Sequence, residues 1–230
     1  MAETLSIEQH TFKGALDRLD EIHQLSGGKE AVEFYNSTFH KTYDDDMAQI
    51  RKNAPQNFCK FALQYMDKID KSAKIIDIGA GSGLLGIELL KQGYANLHGH
   101  DGSAEMLKIA EERKIYQQLY EEILLENKPS DTMPKRDFDV LVSLGAFALV
   151  VHLNEKHLET LIDLVKPGGL MILGFNKQCY NDEFKRQVSL LSGSCKLIGE
   201  QTVEDYLLER NAATNEIDHH QGIFLAYQIL

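Results

Sequence analysis

No stretch of this 230-residue chain is apolar for long enough to cross a bilayer. The longest nearly unbroken run, residues 140–151, is interrupted by Ser143. There is no C-x-x-C pair. Cys59, Cys179 and Cys195 are odd in number and far apart, which reads as reduced thiols in an intracellular protein. Basic residues are in deficit: 24 Lys and Arg stand against 35 Asp and Glu, a formal net charge of −11. A polyanion would need a local basic patch against that background, so neither nucleic acid nor a membrane is the expected partner. The start, M-A-E-T-L, lacks the basic-then-apolar order of a secretory signal, and a cytoplasmic location is expected. Internal repeats and low-complexity tracts are absent too. What is there, 43% hydrophobic and 26% charged residues, fits one globular domain over residues 1–230.

The organising stretch is residues 74–86, K-I-I-D-I-G-A-G-S-G-L-L-G. An apolar run enters a turn with glycines at 79, 81 and 83, and a helical apolar period starts at Leu84 and Leu85. That is a buried parallel strand, a tight turn and a helix N-terminus whose first N–H groups face a crevice. Gly81 to Gly86 also matches G-x-G-x-x-G, the dinucleotide fingerprint, which alone is a weak signal. Asp77 argues against it. An acid beside the turn would repel a pyrophosphate and suits a ligand with a cationic amino group.

The rest of the chain alternates strand and helix. Residues 1 to about 55 are polar, carry Phe34, Tyr35, Phe39 and Tyr43, and show no strand pattern. Asp44, Asp45 and Asp46 read as the first turn of a helix. Pro55 marks a boundary, and residues 57–66 form a helix with Phe58, Phe61, Ala62 and Tyr65 on one stripe. After the glycine turn a helix ends near Gly93. Residues 96–101 form a strand ending on Asp101, 18 residues beyond Gly83, where an acid is placed to accept both hydroxyls of a ribose. Ser103 caps the next helix, which carries Met106 and Leu107. Strands are expected at residues 120–124, 138–145, 170–175, 196–198 and 222–230, and helices at 153–165 and 184–191. Lys166-Pro167-Gly168-Gly169 stops a helix, and His219-His220 falls in a loop. This order predicts a doubly wound α/β sheet.

D-I-G-A-G-S-G, G-H-D-G-S-A-E-M-L, F-D-V-L-V-S and L-V-K-P-G-G-L resemble, in order and spacing, successive motifs of the class I S-adenosylmethionine-dependent methyltransferases. Y-D-D-D-M, A-P, H-G-H-D-G-S and K-I-Y narrow the resemblance to the Williams–Beuren-region methyltransferase-like proteins. It implies a Rossmann-like seven-stranded sheet with an antiparallel last strand, and a helical N-terminal segment, 1–55, near the cofactor mouth of a 56–230 core. It implies S-adenosylmethionine as methyl donor and S-adenosylhomocysteine as product. Gly79, Gly81 and Gly83 match the turn around the methionine moiety, Asp77 the acid that meets its amino group, and Asp101, with Gly102 and Ser103, the ribose site. An acid after the third strand faces adenine in the family; Glu121 and Glu122 both fit, and Glu122 is carried in the expected set. Ala80, Met106, Ser143, Gly145 and Tyr43 complete that set.

Ser143-Leu144-Gly145-Ala146 stands where methylases of amide or base nitrogens carry Asn or Asp before Pro-Pro, which argues against nucleic-acid nitrogen methylation. No metal is expected. A hydroxyl or protonated amine acceptor needs a base, for which His152, Tyr35 and Tyr43 are candidates. The expected function is methyl transfer to a small molecule by a monomer. A protein methyltransferase, a non-catalytic S-adenosylmethionine-binding module and an NAD(P)-dependent oxidoreductase are the alternatives. Residues 1–55 are expected to act as a lid.

Overall fold

The computed structural model describes residues 11–51, 53–148 and 152–230. Seven strands form one sheet in the order β3-β2-β1-β4-β5-β7-β6. They are β1 (Ile75–Ile78), β2 (Leu97–Asp101), β3 (Gln118–Glu121), β4 (Phe138–Leu144), β5 (Val165–Asn176), β6 (Cys195–Arg210) and β7 (Ile217–Ile229). β1 pairs in parallel with β2 and β4, β2 with β3, and β4 with β5; β7 runs antiparallel to both β5 and β6. The last strand is therefore antiparallel, as the resemblance implies.

β1 is an unbroken I-I-D-I because both its faces are covered. Ile75, Val140, Val142, Leu170 and Phe224 join the core cluster under the N-terminal helices and α5 (Leu84–Lys91). Their neighbours Ile76, Leu141, Met171 and Leu225 join the cluster under α7 (Leu158–Leu164) and α8 (Asp182–Leu190). Period-two alternation thus feeds two cores from one sheet.

The N-terminal segment is a helical layer over the first core: α1 (Phe12–His23), α2 (Gly28–Ser37), α3 (Tyr43–Ile50) and α4 (Ala54–Met66). Residues 1–10 and 52 of the expected lid lie outside the described residues. Asp44, Asp45 and Asp46 occupy the first turn of α3 as expected. Two of them also hold the layer together. Asp46, fully buried, accepts from Nε and Nη2 of Arg18 at 2.6 Å each. Asp44 accepts from Ser82 Oγ at 2.5 Å and from Arg113. Pro55 sits in the first turn of α4, where its missing N–H costs nothing.

Several boundaries differ from expectation. β3 spans Gln118–Glu121 rather than 120–124, because Ile123 and Leu124 leave the sheet to line a cleft. Lys166-Pro167-Gly168-Gly169 falls inside β5 as an irregularity: pairing passes from Phe138↔Val165 to Val140↔Leu170, with Gly168 at φ +82°. A 3₁₀ turn, Glu155–His157, replaces the first turn of the expected 153–165 helix. The largest difference is the final hairpin. β6 and β7 extend far beyond 196–198 and 222–230, and His219 and His220 lie on β7, not in a loop. This edge of the sheet is solvated, so its residues alternate without an apolar run. His219 Nδ1 lies 2.7 Å from Asp205 and His220 Nε2 lies 3.0 Å from Glu209. Near the hairpin's far end, Arg210 bonds Asp20 and Asp17 of α1 at 2.7 Å each.

Phe58 of α4 is fully buried, edge-on to Phe224 at 5.3 Å. A Cβ on Gly174 would lie 2.6 Å from its ring. Phe58→Ala removes one of the two rings, with Phe61, that join α4 to Phe224 of the sheet. It is expected to destabilise the protein by about 3–5 kcal/mol, read as a lower urea midpoint at an unchanged slope.

Candidate cofactor cleft

The turn after β1 runs through left-handed backbone at Gly79 (φ +71°), Gly81 (+55°) and Gly83 (+93°). A Cβ at Gly79 would lie 2.5 Å from that of Ala146, so the turn and the segment after β4 touch backbone to side chain. No side chain caps α5 at Gly83. The third glycine of the fingerprint has a separate cause. A Cβ at Gly86 would lie 2.5 Å from the Tyr116 hydroxyl, and one at Gly99 3.2 Å from its ring. Both glycines make room for Tyr116, which donates to Asp77 Oδ2 at 2.8 Å.

Asp77 is 2% exposed. Burial pushes its carboxyl up to about 7, the Tyr116 hydrogen bond opposes that, and the Asp101 charge adds to it. Asp101 closes β2. Its Oδ2 accepts from Gly81 N and its Oδ1 from Ser103 N, both at 2.9 Å. Burial raises its pKa and these backbone donors hold it down. The carboxylate thereby locks the glycine turn to the start of α6 (Ala104–Glu112) as well as facing the cleft.

Two adjoining lobes open on this turn. The first, about 800 Å3, is lined by Gly79, Gly81, Asp101, Gly102, Met106 and Glu122 from the core. Gly145, Ala146 and His152 line it beyond β4, and Tyr35 and Tyr43 from the N-terminal layer. The second, about 1,040 Å3, is lined by Asp77, Ala80, Leu85, Met47 and Arg51. Tyr43, Gly79 and Leu144 line both and form the partition.

Three expected residues stand behind these walls. Ser103 is buried, caps Met106 N at 3.2 Å and donates to Asn36 Oδ1 of α2 at 2.7 Å. Ser143 Oγ bonds the Ile78 carbonyl at 2.8 Å and joins β4 to β1. Gly83 packs on Ile115 and Tyr116. Glu122 lines the first lobe, but its carboxylate is taken by the loop at residues 130–132: Ser130 Oγ and Thr132 Oγ1 at 2.6 Å, Asp131 N at 2.8 Å and Thr132 N at 3.2 Å. Glu121 is exposed and lines neither lobe.

The candidate bases do meet. The Tyr35 hydroxyl lies 3.3 Å from His152 Nε2, and the Tyr43 ring is 6.1 Å from that of Tyr35. Burial raises both phenols, Tyr43 to about 12 and Tyr35 further, so neither is a phenolate at neutral pH. Of the three, His152 carries the side chain suited to accept a proton there.

Sequence reasoning missed Arg51 and His100. Arg51 Nε is buried without a partner, and its guanidinium lies over the Tyr206 ring at 5.5 Å. It fills space that a Cβ on Gly145 would occupy. An Arg in R-K-N-A-P has no pattern to reveal it. Among the described residues no cluster of three or more His, Cys, Asp or Glu could hold a metal, and no helix is long and apolar enough to cross a membrane.

A family model described as a methyltransferase domain matches residues 75–169. Human methyltransferase-like protein 27 is 29% identical over 172 residues, 73% of this chain and 66% of that protein. A S-adenosylmethionine-dependent methyltransferase of Leishmania major superposes with a TM-score of 0.59 at 14% identity, over 87% of this chain and 82% of that one. Residues 75–169 thus match a methyltransferase domain, and the fold is the one seen in the Leishmania major enzyme. S-adenosylmethionine is the cofactor named for that Leishmania major enzyme. The ribosomal protein L11 methyltransferase of Shewanella halifaxensis is 38% identical over 116 residues, 48% of this chain and 36% of that protein. The chain thus spans less than two thirds of the length of either curated relative.

The residues present fit that cofactor: a glycine turn open to a ligand, an acid at its floor, and a buried guanidinium with an unpartnered nitrogen. The Asp77 carboxyl holds its proton to about pH 7 in the fold but loses it near about 4 when unfolded. Its contribution to stability is therefore complete below the unfolded value and is lost as pH rises through 7. A cationic amino group beside it favours the ionised form, so binding releases a proton. Calorimetry of S-adenosylhomocysteine binding at about pH 6.5 is expected to give heats that vary with buffer ionisation enthalpy, and Asp77→Asn to abolish that variation. Buffer-independent heats in the wild type would remove Asp77 from contact with the amino group.

Proposed function

We propose that the protein transfers a methyl group from S-adenosylmethionine to a small-molecule acceptor. The observation that carries this is the separation of charge across the partition. One lobe holds an acid, Asp77, and a cation, Arg51, which matches the ammonium and carboxylate of an amino-acid head. The other holds Asp101, Gly102 and Met106, which matches a nucleoside. A dinucleotide would instead bring its pyrophosphate against Asp77.

When bound, the sulfonium supplies an activated methyl group for in-line displacement. The chain's own work is alignment and exclusion of water. Tyr43, at the partition, fixes where the two halves of the cofactor join. Tyr35 and His152 line the first lobe together with the apolar Ala146 and Leu153, a set that suits a small acceptor. His152 takes the proton the acceptor loses, and Tyr35 orients it.

The N-terminal layer is the lid in this reading. Its mobile part is α2 and the turn after it, since α2 buries only Ala31 completely, whereas α1 is held by Arg18 and Arg210. Amide exchange is expected to be fast over residues 28–43 in the free protein and slowed by S-adenosylhomocysteine, with α1 protected in both states. Equal, strong protection of residues 28–43 in both states would make the segment a fixed layer.

Calorimetry with S-adenosylmethionine, its product, NADH and NADPH tests the cofactor assignment, and labelled donor with metabolite and protein extracts tests the acceptor class. Arg51→Leu is expected to weaken S-adenosylhomocysteine by roughly ten- to a hundredfold, the worth of a charge-assisted hydrogen bond. It should leave methylthioadenosine, which has no amino-acid head, unchanged. An equal loss for both ligands would place Arg51 in the fold rather than the site.

A further inference from the structure

Among the described residues, five buried side-chain nitrogens and oxygens have no hydrogen-bond partner, on Arg51, His98, His100 and Tyr227. Of these residues, only Arg51 and His100 line the lobes. His100 is the residue before Asp101 on β2, is 4% exposed, and has both ring nitrogens unpartnered. The Glu122 backbone acts on the ring from beyond ordinary hydrogen-bond distance, and the remaining nitrogen is a buried polar group that needs a partner from outside the fold.

Its neighbourhood says what that is. His100 shares the first lobe with Glu122, Ile123 and Leu124, and on the sheet it pairs with Tyr120 of β3, just before that segment. Beyond Asp101, where a ribose would lie, this is where the base must go. The acid expected to meet the base is not free to do so: the Glu122 carboxylate accepts four hydrogen bonds from residues 130–132. The polar group left for the base is the imidazole.

We infer that His100 reads the base of the cofactor, accepting a hydrogen bond from the exocyclic amino group of adenine. The inference rests on the cofactor assignment above. A neutral imidazole has one N–H and one bare nitrogen. Burial keeps this one neutral, pushing its pKa down to about 4. The Glu122 carboxylate and the Glu122 backbone act on the ring in the sense that favours an N–H. With the proton on that side, the other nitrogen is an acceptor. Adenine offers an amino donor there; a base with an oxo group at the same position offers a second acceptor and is rejected.

The test crosses one substitution with one change in ligand. S-adenosylhomocysteine and S-inosylhomocysteine, in which an oxo group replaces the amino group, are titrated into wild type and His100→Phe. Wild type should prefer the adenosyl ligand by roughly five- to tenfold or more, the range of a single buried hydrogen bond. His100→Phe should lose that preference, with the adenosyl ligand weakened and the inosyl ligand unchanged or tightened. Equal weakening of both ligands, or an undiminished preference, overturns the inference. Failure of wild type to bind S-adenosylhomocysteine at all overturns instead the cofactor assignment beneath it. If His100→Phe does not fold, the ring-nitrogen NMR shifts of His100 in wild type decide. They should move on adding S-adenosylhomocysteine and stay put with homocysteine; no movement with either counts against the contact.

Discussion

One hydrogen bond, from the Tyr116 hydroxyl to Asp77, sets the terms for the rest of the site. A carboxyl group 2% exposed at the end of a central strand has lost its water, and Tyr116 is the donor that replaces it. Tyr116 reaches it only because Gly86 and Gly99 have no side chain in its path. The turn must then bend away from the acid in left-handed backbone, and Asp101 pins it there through Gly81 N. Helix α5, strand β2 and the turn are positioned by one need, to hold an acid beneath a ligand without letting water reach it.

The N-terminal layer answers to the same centre from above. Asp44 joins α3 to Ser82 within the glycine turn and to Arg113 at the end of α6. Asn36 joins α2 to Ser103, the cap of α6. Tyr43, between these ties, divides the cleft. α3 is thus braced on the core through Asp44, whereas α2 is tied there by the Asn36 side chain. A shift of the turn by a ligand is felt in α3 through rigid polar contacts, not through soft packing.

The central sheet could be read in the chain because its strands are buried on both faces and bounded by glycine or proline; I-I-D-I and F-D-V-L-V-S leave little choice. The glycine turn, Asp77 and Asp101 were legible because backbone sterics and charge restrict those positions to few residue types. The far half of the β6–β7 hairpin was not, since a strand pairing at a solvated edge needs no apolar period, and His219-His220 looked like loop. Arg51, Tyr116 and His100 show a second limit. Their roles depend on which groups lack partners, and partners such as Tyr116 and Asp77 lie 39 residues apart. Glu122 shows the converse: the right residue type in the right place, its carboxylate already spent on residues 130–132.

Arg210 reaches back 190 and 193 positions along the chain to hold α1. During synthesis on a ribosome, α1 emerges long before the residue that anchors it. Until β6 and β7 have paired, α1 lacks that tether, and closing so long a loop carries an entropic penalty that local contacts cannot offset early. The central strands, with nearby partners, can assemble before that. A nascent chain would therefore own a complete glycine turn before its roof is tied down, and α1 would settle only once the hairpin has emerged and paired.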